Sequence, residues 1–280
     1  MVKKDFSMSD ILTLGISPCP NDTFIFDAWV NEKLGVSAPR VRCIMEDIST
    51  LNELAFKKKL DIVKVSFYAY AMLGRHYHLL NAGGALGRGC GPLIVSASPD
   101  MGRRALAEKD VRIAVPGRWT TANLLLSLYQ PEVRKKVFMR FEKIMPAVAG
   151  GEVDAGVIIH EGRFVFEQYG LGVVEDLGAW WEKTTGYPIP LGAIIAKKSL
   201  GADSLAAVEA AVKESLGAAL SDPDAPLSFM QRHAGEMETA VMRSHVELYV
   251  NEYSLDYGSD GMQAIAHLLK SAEEKGLLEG

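Results

Sequence analysis

The sequence lacks the features that mark secreted, membrane-spanning or nucleic-acid-binding chains. Only three cysteines occur in 280 residues, Cys19, Cys43 and Cys90. They are too few and too scattered for a disulfide framework, and no Cys-x-x-Cys pair offers a zinc or redox site. No apolar run approaches the ~20 residues that cross a bilayer. The opening MVKKDFSMSD is polar and leads into a short apolar stretch, Ile11–Ile16. A secretory leader needs a longer apolar core and a small-residue cleavage site. The chain is therefore expected to be cytoplasmic, and the sequon Asn21-Asp22-Thr23 to carry no glycan. Positive charge is also in short supply: 30 basic residues against 35 acidic ones leave a net charge of −5. No broad basic field exists for a nucleic-acid backbone or an anionic membrane, so any bound anion must be met by local chemistry.

What is present is an ordinary globular composition, 48% hydrophobic and 23% charged, which excludes disordered, collagen-like and coiled-coil chains. Short apolar runs predict strands at Ile11–Ile16, Val41–Met45, Asp61–Val65, Pro92–Ser96, Val111–Val115, Ala155–Ile159 and Leu191–Ala196. Helix-period segments lie between them at Phe24–Leu34, Leu51–Lys59, Phe67–Leu73, Ala122–Tyr129 and Phe164–Tyr169. Such alternation predicts an α/β chain with parallel sheets covered by helices. From Ser204 onward only helices are expected: Ser204–Leu220, Leu227–His233, Thr239–Val250 and Gly261–Glu274. These should pack back on the first domain. Two stretches, Gly91–Val95 and Pro188–Ile195, set Pro and Gly against β-prone runs and look like crossing strands. The expected division is a discontinuous outer lobe, 1–95 and 196–280, with an inserted lobe, 96–195. A cleft between the lobes would be the natural ligand site.

Four strand-to-helix junctions concentrate chemistry. Ser17-Pro18-Cys19-Pro20-Asn21-Asp22-Thr23 is a stiffened turn in which Asn21, Asp22 or Thr23 can cap a helix opening at Phe24; a cleft wall is the alternative reading. Lys64-Val65-Ser66 ends the third strand, where ligands of open α/β sheets gather. Lys64 there is either a contact for a substrate carboxylate or hydroxyl, or half of a structural ion pair. Pro116-Gly117-Arg118-Trp119-Thr120-Thr121-Ala122 combines a flexible glycine, threonine caps and the free N–H groups of a helix start. Ala155–Ile159 delivers His160 to a strand end, where an imidazole with an ordinary pKa of about 6.5 suits proton transfer; Glu161 is expected in the first helical turn after it. The run Gly83-Gly84-Ala85-Leu86-Gly87-Arg88-Gly89-Cys90-Gly91 fits no nucleotide fingerprint. It reads as a flexible loop beside a hinge, with Arg88 a candidate anion contact. The histidines lack metal-ligand spacing, so no metal is expected. Trp180-Trp181 is expected to pack a domain surface. These residues alone lead to a two-domain cleft protein for a small anionic molecule.

The ordered set of Ser17–Phe24, Lys64–Ser66, Gly83–Gly89, Pro116–Arg118 with Thr120–Ala122, and Ile158–Glu161 resembles the 1,4-dihydroxy-6-naphthoate synthases of the futalosine route to menaquinone. The resemblance runs from about Leu12 to the C-terminal helices. Trp119 stands where relatives can carry a histidine. The resemblance implies a fold like the type II periplasmic binding proteins, two lobes joined by two hinge strands. It implies a carbon–carbon lyase that converts cyclic dehypoxanthinylfutalosine to 1,4-dihydroxy-6-naphthoate and dihydroxyacetone. His160 would be the catalytic proton acceptor, and Lys64, Val65, Ser66, Thr121 and Ala122 would line the substrate site. The implied partner is a small-molecule carboxylate; no cofactor, nucleic acid or membrane is implied. The alternatives are chorismate dehydratase of the same pathway, a non-catalytic solute-binding protein and, last, an effector-sensing domain.

Overall fold

The computed structural model describes residues 11–35, 38–235 and 237–278; the polar opening decapeptide lies outside them. The strands are β1 (Leu12–Ile16), β2 (Val41–Met45), β3 (Ile62–Ser66), β4 (Tyr77–Leu79), β5 (Ala85–Gly87), β6 (Leu93–Ser96), β7 (Arg112–Val115), β8 (Lys135–Phe138), β9 (Ala155–Ile158), β10 (Gly172–Asp176) and β11 (Ile189–Lys197). The helices are α1 (Pro20–Val30), α2 (Ile48–Phe56), α3 (Phe67–Leu73), α4 (Thr121–Tyr129), α5 (Phe141–Ala149), α6 (Gly162–Val165), α7 (Leu177–Thr185), α8 (Ala202–Ser221), α9 (Leu227–His233), α10 (Thr239–Tyr249), α11 (Glu252–Leu255) and α12 (Gly258–Glu274).

The contacts divide the chain into two compact units. One holds the chain up to Val65, Leu73–Gly84 and Ala193–Tyr257; the other holds Ser66–Met72, Ala85–Gly192 and the chain from Gly258 onward. This differs from the expected 1–95/196–280 and 96–195 division chiefly at the C-terminus. There Tyr68 Oη donates to the Leu277 carbonyl at 2.7 Å and His267 of α12 packs on Trp181 and Tyr187, all within the second unit.

The first unit is built on the strand order β2-β1-β3-β11-β4. β1 runs parallel to β2 and β3, while β11 is antiparallel to β4. Its core joins Leu14, Ile16 and Ile62 of the sheet to Phe24, Ile25, Phe26 and Trp29 of α1, and these to Val208, Val212 and Leu216 of α8. α1 is buried on every side from Pro20 to Trp29, so its one-sided apolar stripe disappears. Ser215 of α8 enters its hydrogen-bond ladder, accepting from Trp29 N–H and donating to the Ile25 carbonyl.

The second unit orders its strands β10-β6-β9-β7-β8. β7 is parallel to β8 and β9, whereas β6 is antiparallel to β9 and β10. Leu93, Val95, Ala114 and Ile158 of this sheet pack on Ile144, Met145 and Val148 of α5. Within this unit the first half of β11 also pairs with β5. Both sheets are thus mixed, which corrects the expectation of parallel sheets. An apolar run specifies burial but carries no strand direction, and the reversed strands, β6 and β11, occupy the two stretches marked by Pro and Gly. The glycine-rich run is corrected too. Ala85–Gly87 is a buried strand, Gly89 N–H donates to Glu182 Oε1 at 2.7 Å, and Arg88 donates to the Gly186 carbonyl at 3.0 Å; it is no loose loop.

At one point this unit brings two backbones into contact. A Cβ on Gly91 would collide with Gly178 Cα and N, and one on Gly178 would lie 2.7 Å from Gly91 Cα and N. Neither neighbour can move aside as a side chain would. Gly178→Ala should therefore lower stability by roughly 1–3 kcal/mol, measured by urea unfolding; an unchanged midpoint would show that the two backbones can separate freely.

Candidate active site

The turn after β1 opens the first cluster. Pro20 occupies the first helical position of α1, where its fixed φ and missing N–H cost nothing. Cys19 stands at the N-cap and gives no side-chain cap. The expectation that Asn21, Asp22 or Thr23 caps a helix from Phe24 is therefore corrected: all three lie in the first turn. With capping done by proline geometry, Asp22 is released for other partners. Its Oδ2 accepts from Ser17 N–H at 3.0 Å and from Ser17 Oγ at 2.7 Å. Its Oδ1 accepts from Lys64 Nζ at 2.6 Å and from Asn21 Nδ2 at 3.0 Å. Since Asn21 turns its amide nitrogen to Asp22, its oxygen faces His245 Nε2 at 3.1 Å, which makes Nε2 the protonated ring nitrogen.

Lys64 reaches this cluster from the buried strand β3. The side chains of Lys64 and Asp22 are 6% and 0% exposed, so the ion pair weighed for Lys64 does form, deep in the first unit. Yet an ammonium carries three donors, and Asp22 takes one. Among the described residues no other acceptor meets Lys64 Nζ. A buried ion normally has its remaining protons satisfied, and two protons of this lysine point away from Asp22. Alternation along β3 puts Ser66 on the same side as Lys64 and leaves Val65 its backbone as the polar contact.

The second cluster surrounds the start of α4, in the second unit. Gly117 adopts φ +144°, the left-handed half of the map open to glycine. Thr120 is the N-cap: its Oγ accepts from Asn123 N–H at 3.3 Å and donates to the Gly117 carbonyl at 2.8 Å. Thr121 donates its hydroxyl to the Leu191 carbonyl at 2.7 Å, which commits that hydroxyl to structure. The backbone N–H groups of Thr121 and Ala122 have no intrahelical acceptor at a helix start, and they form the anion-seeking part of the turn. Asn123 ties the loop from behind, donating to the Arg118 carbonyl at 2.6 Å while accepting from Lys136 Nζ at 2.9 Å. Lys136 also donates to Ser127 Oγ at 2.6 Å.

His160 lies two residues beyond β9, not at its last position, and holds φ +56°. Non-glycine residues rarely adopt this conformation. The ring is half-buried and meets Phe141 edge-on, with centroids 5.1 Å apart. Glu161 stands at the N-cap position of α6 without a side-chain cap, and burial, with the charge of Glu142 adding to it, raises its carboxyl above the usual range. Arg163 anchors the turn, donating to the Gly91 carbonyl at 2.8 Å and pairing with Asp176 at 2.6 Å. Arg88 faces Glu182 at 3.8 Å. Cys90 is buried and pushed up to about 12 by that burial, which makes it a poor nucleophile. Trp181 is buried with its indole N–H on the Pro188 carbonyl. Among the described residues no group of His, Cys, Asp and Glu is placed to hold a metal ion, and no helix is long and apolar enough to cross a membrane.

A family model described as menaquinone biosynthesis matches residues 12–274. The chain belongs to this family. It is 47% identical over 268 residues to a 1,4-dihydroxy-6-naphthoate synthase of Thermus thermophilus, covering 96% of both chains. It is 44% identical over 275 residues to the Streptomyces coelicolor protein of the same name, covering 96% of this chain and 95% of that one. Among solved structures, a protein of Archaeoglobus fulgidus matches with a TM-score of 0.89 at 33% identity, over 97% of this chain and 100% of that one. The alkanesulfonate-binding protein of Xanthomonas axonopodis matches with a TM-score of 0.74 at 12% identity, over 98% and 96%. That likeness shows the fold, which this member of the menaquinone-biosynthesis family shares with the type II periplasmic binding proteins. Every motif singled out in the sequence falls within the matched span.

Lys136 offers a test of the α4 support. Burial pushes it down to about 8 from the ordinary 10.5. The unfolded chain holds that proton up to the ordinary value. Between about pH 8 and 10.5 unfolding therefore takes up a proton, and stability from this group rises with pH across that window. Relative to Lys136→Met, the wild type should gain on the order of 1–2 kcal/mol between pH 8 and 10.5, discounted for partial exposure. A pH-independent difference in urea midpoints would show that the amine is not held in a desolvating site.

Proposed function

We propose that this protein converts cyclic dehypoxanthinylfutalosine to 1,4-dihydroxy-6-naphthoate and dihydroxyacetone, as a carbon–carbon lyase. The observation that carries this reading is its 47% and 44% identity, over nearly the whole chain, to two proteins named for that synthase. His160 is the general base. It takes the proton of a sugar-derived hydroxyl; the oxygen's electron pair becomes the new carbonyl as the adjacent carbon–carbon bond breaks. The bonding pair passes to the carbon that becomes part of the naphthoate ring; that carbon, or the oxygen conjugated with it, takes the proton back from the His160 imidazolium, and aromaticity draws the reaction forward. Such general-base help is worth roughly 10²–10⁴-fold.

Substrate is held by Lys64, Val65, Ser66, Thr121 and Ala122. The division of labour follows their chemistry. Lys64 supplies ammonium protons beyond the one given to Asp22, and the N–H groups of Thr121 and Ala122 supply directed donors at the positive end of α4. Because the Thr121 hydroxyl is spent on Leu191, its contribution is its backbone. Oriented donors of this kind favour a reactive geometry over loose binding.

The test is incubation of the purified protein with cyclic dehypoxanthinylfutalosine, without added cofactor, followed by mass spectrometry. Formation of 1,4-dihydroxy-6-naphthoate is expected. His160→Asn is the informative variant, since asparagine tolerates positive φ better than alanine, so the turn survives without its base. Turnover should fall on the order of 10²–10⁴-fold with an unchanged melting temperature; activity within a few-fold of wild type would remove His160 from the role. Chorismate as the consumed substrate would favour the dehydratase reading.

A further inference from the structure

The buried polar chain of the first unit goes beyond what a structural tie between β3 and α1 requires. A carboxylate that only neutralised Lys64 would need one contact. Asp22 instead has both oxygens engaged from opposite directions. Oδ2 is pinned by two groups of Ser17, the backbone N–H and the hydroxyl. Oδ1 is shared between Asn21 Nδ2 and Lys64 Nζ. Asn21 is oriented in turn by His245, which is fully buried on α10. With Ser17 and Asn21 holding it on both sides, the carboxylate plane cannot rotate to follow the lysine; the lysine must come to it. Nζ is thereby fixed at one point beside the first turn of α1, with two of its three protons left to point elsewhere.

We propose that Asp22 is a positioning residue for substrate binding: locked by Ser17 and by Asn21–His245, it keeps the Lys64 ammonium aimed, so that its remaining N–H groups meet an oxygen of the substrate carboxylate or a neighbouring hydroxyl. The inference rests on the assignment of Lys64 to the substrate site and deepens it. The pair is electrically neutral as a unit. It therefore recognises an anion through directed donors rather than net charge, and a misplaced Nζ costs affinity more than it costs the chemical step.

The experiment is a double-mutant cycle of Asp22→Asn, Lys64→Met and the double variant, read as separate kcat and KM values on cyclic dehypoxanthinylfutalosine. It is paired with the ¹⁵N NMR signal of the Lys64 ammonium in substrate-free protein, identified by its loss in Lys64→Met. Asp22→Asn should raise KM on the order of 10–100-fold with kcat changed less than about threefold. In the Lys64→Met background the same change should add less than about threefold, because both substitutions remove one interaction. The ammonium signal, sharp in the wild type, should shift or vanish in Asp22→Asn. A wild-type KM in Asp22→Asn, or independent effects that multiply in the double variant, would overturn the proposal. Should Asp22→Asn fail to fold, Ser17→Ala removes one of the four restraints and should raise KM a few-fold at a nearly unchanged melting temperature; no rise would overturn it. Wild-type protein that makes no product would overturn the synthase reading alone. The positioning role would then stand on a changed ammonium signal in Asp22→Asn and fall on an unchanged one.

Discussion

A charge pair almost closed off from bulk water sets the local structure of the first unit. Burying an ammonium and a carboxylate costs several kcal/mol per ion before their attraction is counted, and removing either partner leaves the other stranded at a cost of roughly 3–5 kcal/mol. The surroundings of Lys64 and Asp22 follow from that cost. The carboxylate needs further donors, and Ser17 and Asn21 lie within five residues of it to provide them. The turn must place those donors without spending Asp22 as a cap, and Pro20 at the first helical position allows it. α1 must then be enclosed on every side, which the sheet, α8 and α10 accomplish together.

The second unit meets the same problem by backbone means. The turn before α4 has no carboxylate; its polarity comes from the amides of a helix start, held in place by Thr120, Asn123 and, beneath them, Lys136. Lys136 is a half-buried amine whose partners among the described residues are neutral, so its desolvation is unfavourable by itself. It is tolerated because Asn123 and Ser127 both accept from it. The turn carrying His160 is likewise held by a remote anchor, the Arg163 guanidinium, which ties α6 to Gly91 and Asp176. In each case a residue set back from the turn fixes the turn's geometry.

Much of the architecture was legible in the sequence because burial and periodicity coincide. Val41–Met45, Phe67–Leu73 and Leu227–His233 fall on the predicted bounds, and other elements differ by a few residues at their ends. The elements without a sequence signal have physical reasons. β8 reads Lys-Lys-Val-Phe, charged where a strand signal expects apolar residues, because it is an edge strand with one lysine turned inward. β5 hides in a glycine-rich run, since glycine there marks close packing as readily as mobility. β10 is a half-exposed edge strand with little apolar pattern. α7 escapes because Gly178 and paired tryptophans blur its period, although Asp176 caps it from Gly178 and Ala179 N–H.

The site was legible by type of residue but not by partnership. Lys64 stands out as a charge in an apolar strand, and that signal is local. Its pairing with Asp22 spans 42 positions, and the link from Asn21 to His245 spans 224; no local pattern carries either. Asn21, Asp22 and Thr23 are all candidate caps in the sequence because Asn, Asp and Thr before an apolar helix ordinarily are caps. A proline at the helix start overrides that reading: it fixes the first turn by itself and frees the acidic side chain. The sequence signal for the pair is therefore a conjunction. A buried strand carrying one lysine, together with a proline-started helix carrying an acid in its first turn, leaves that acid as the lysine's partner. The pair is structural in holding β3 to α1, and one carboxylate cannot use all three ammonium protons.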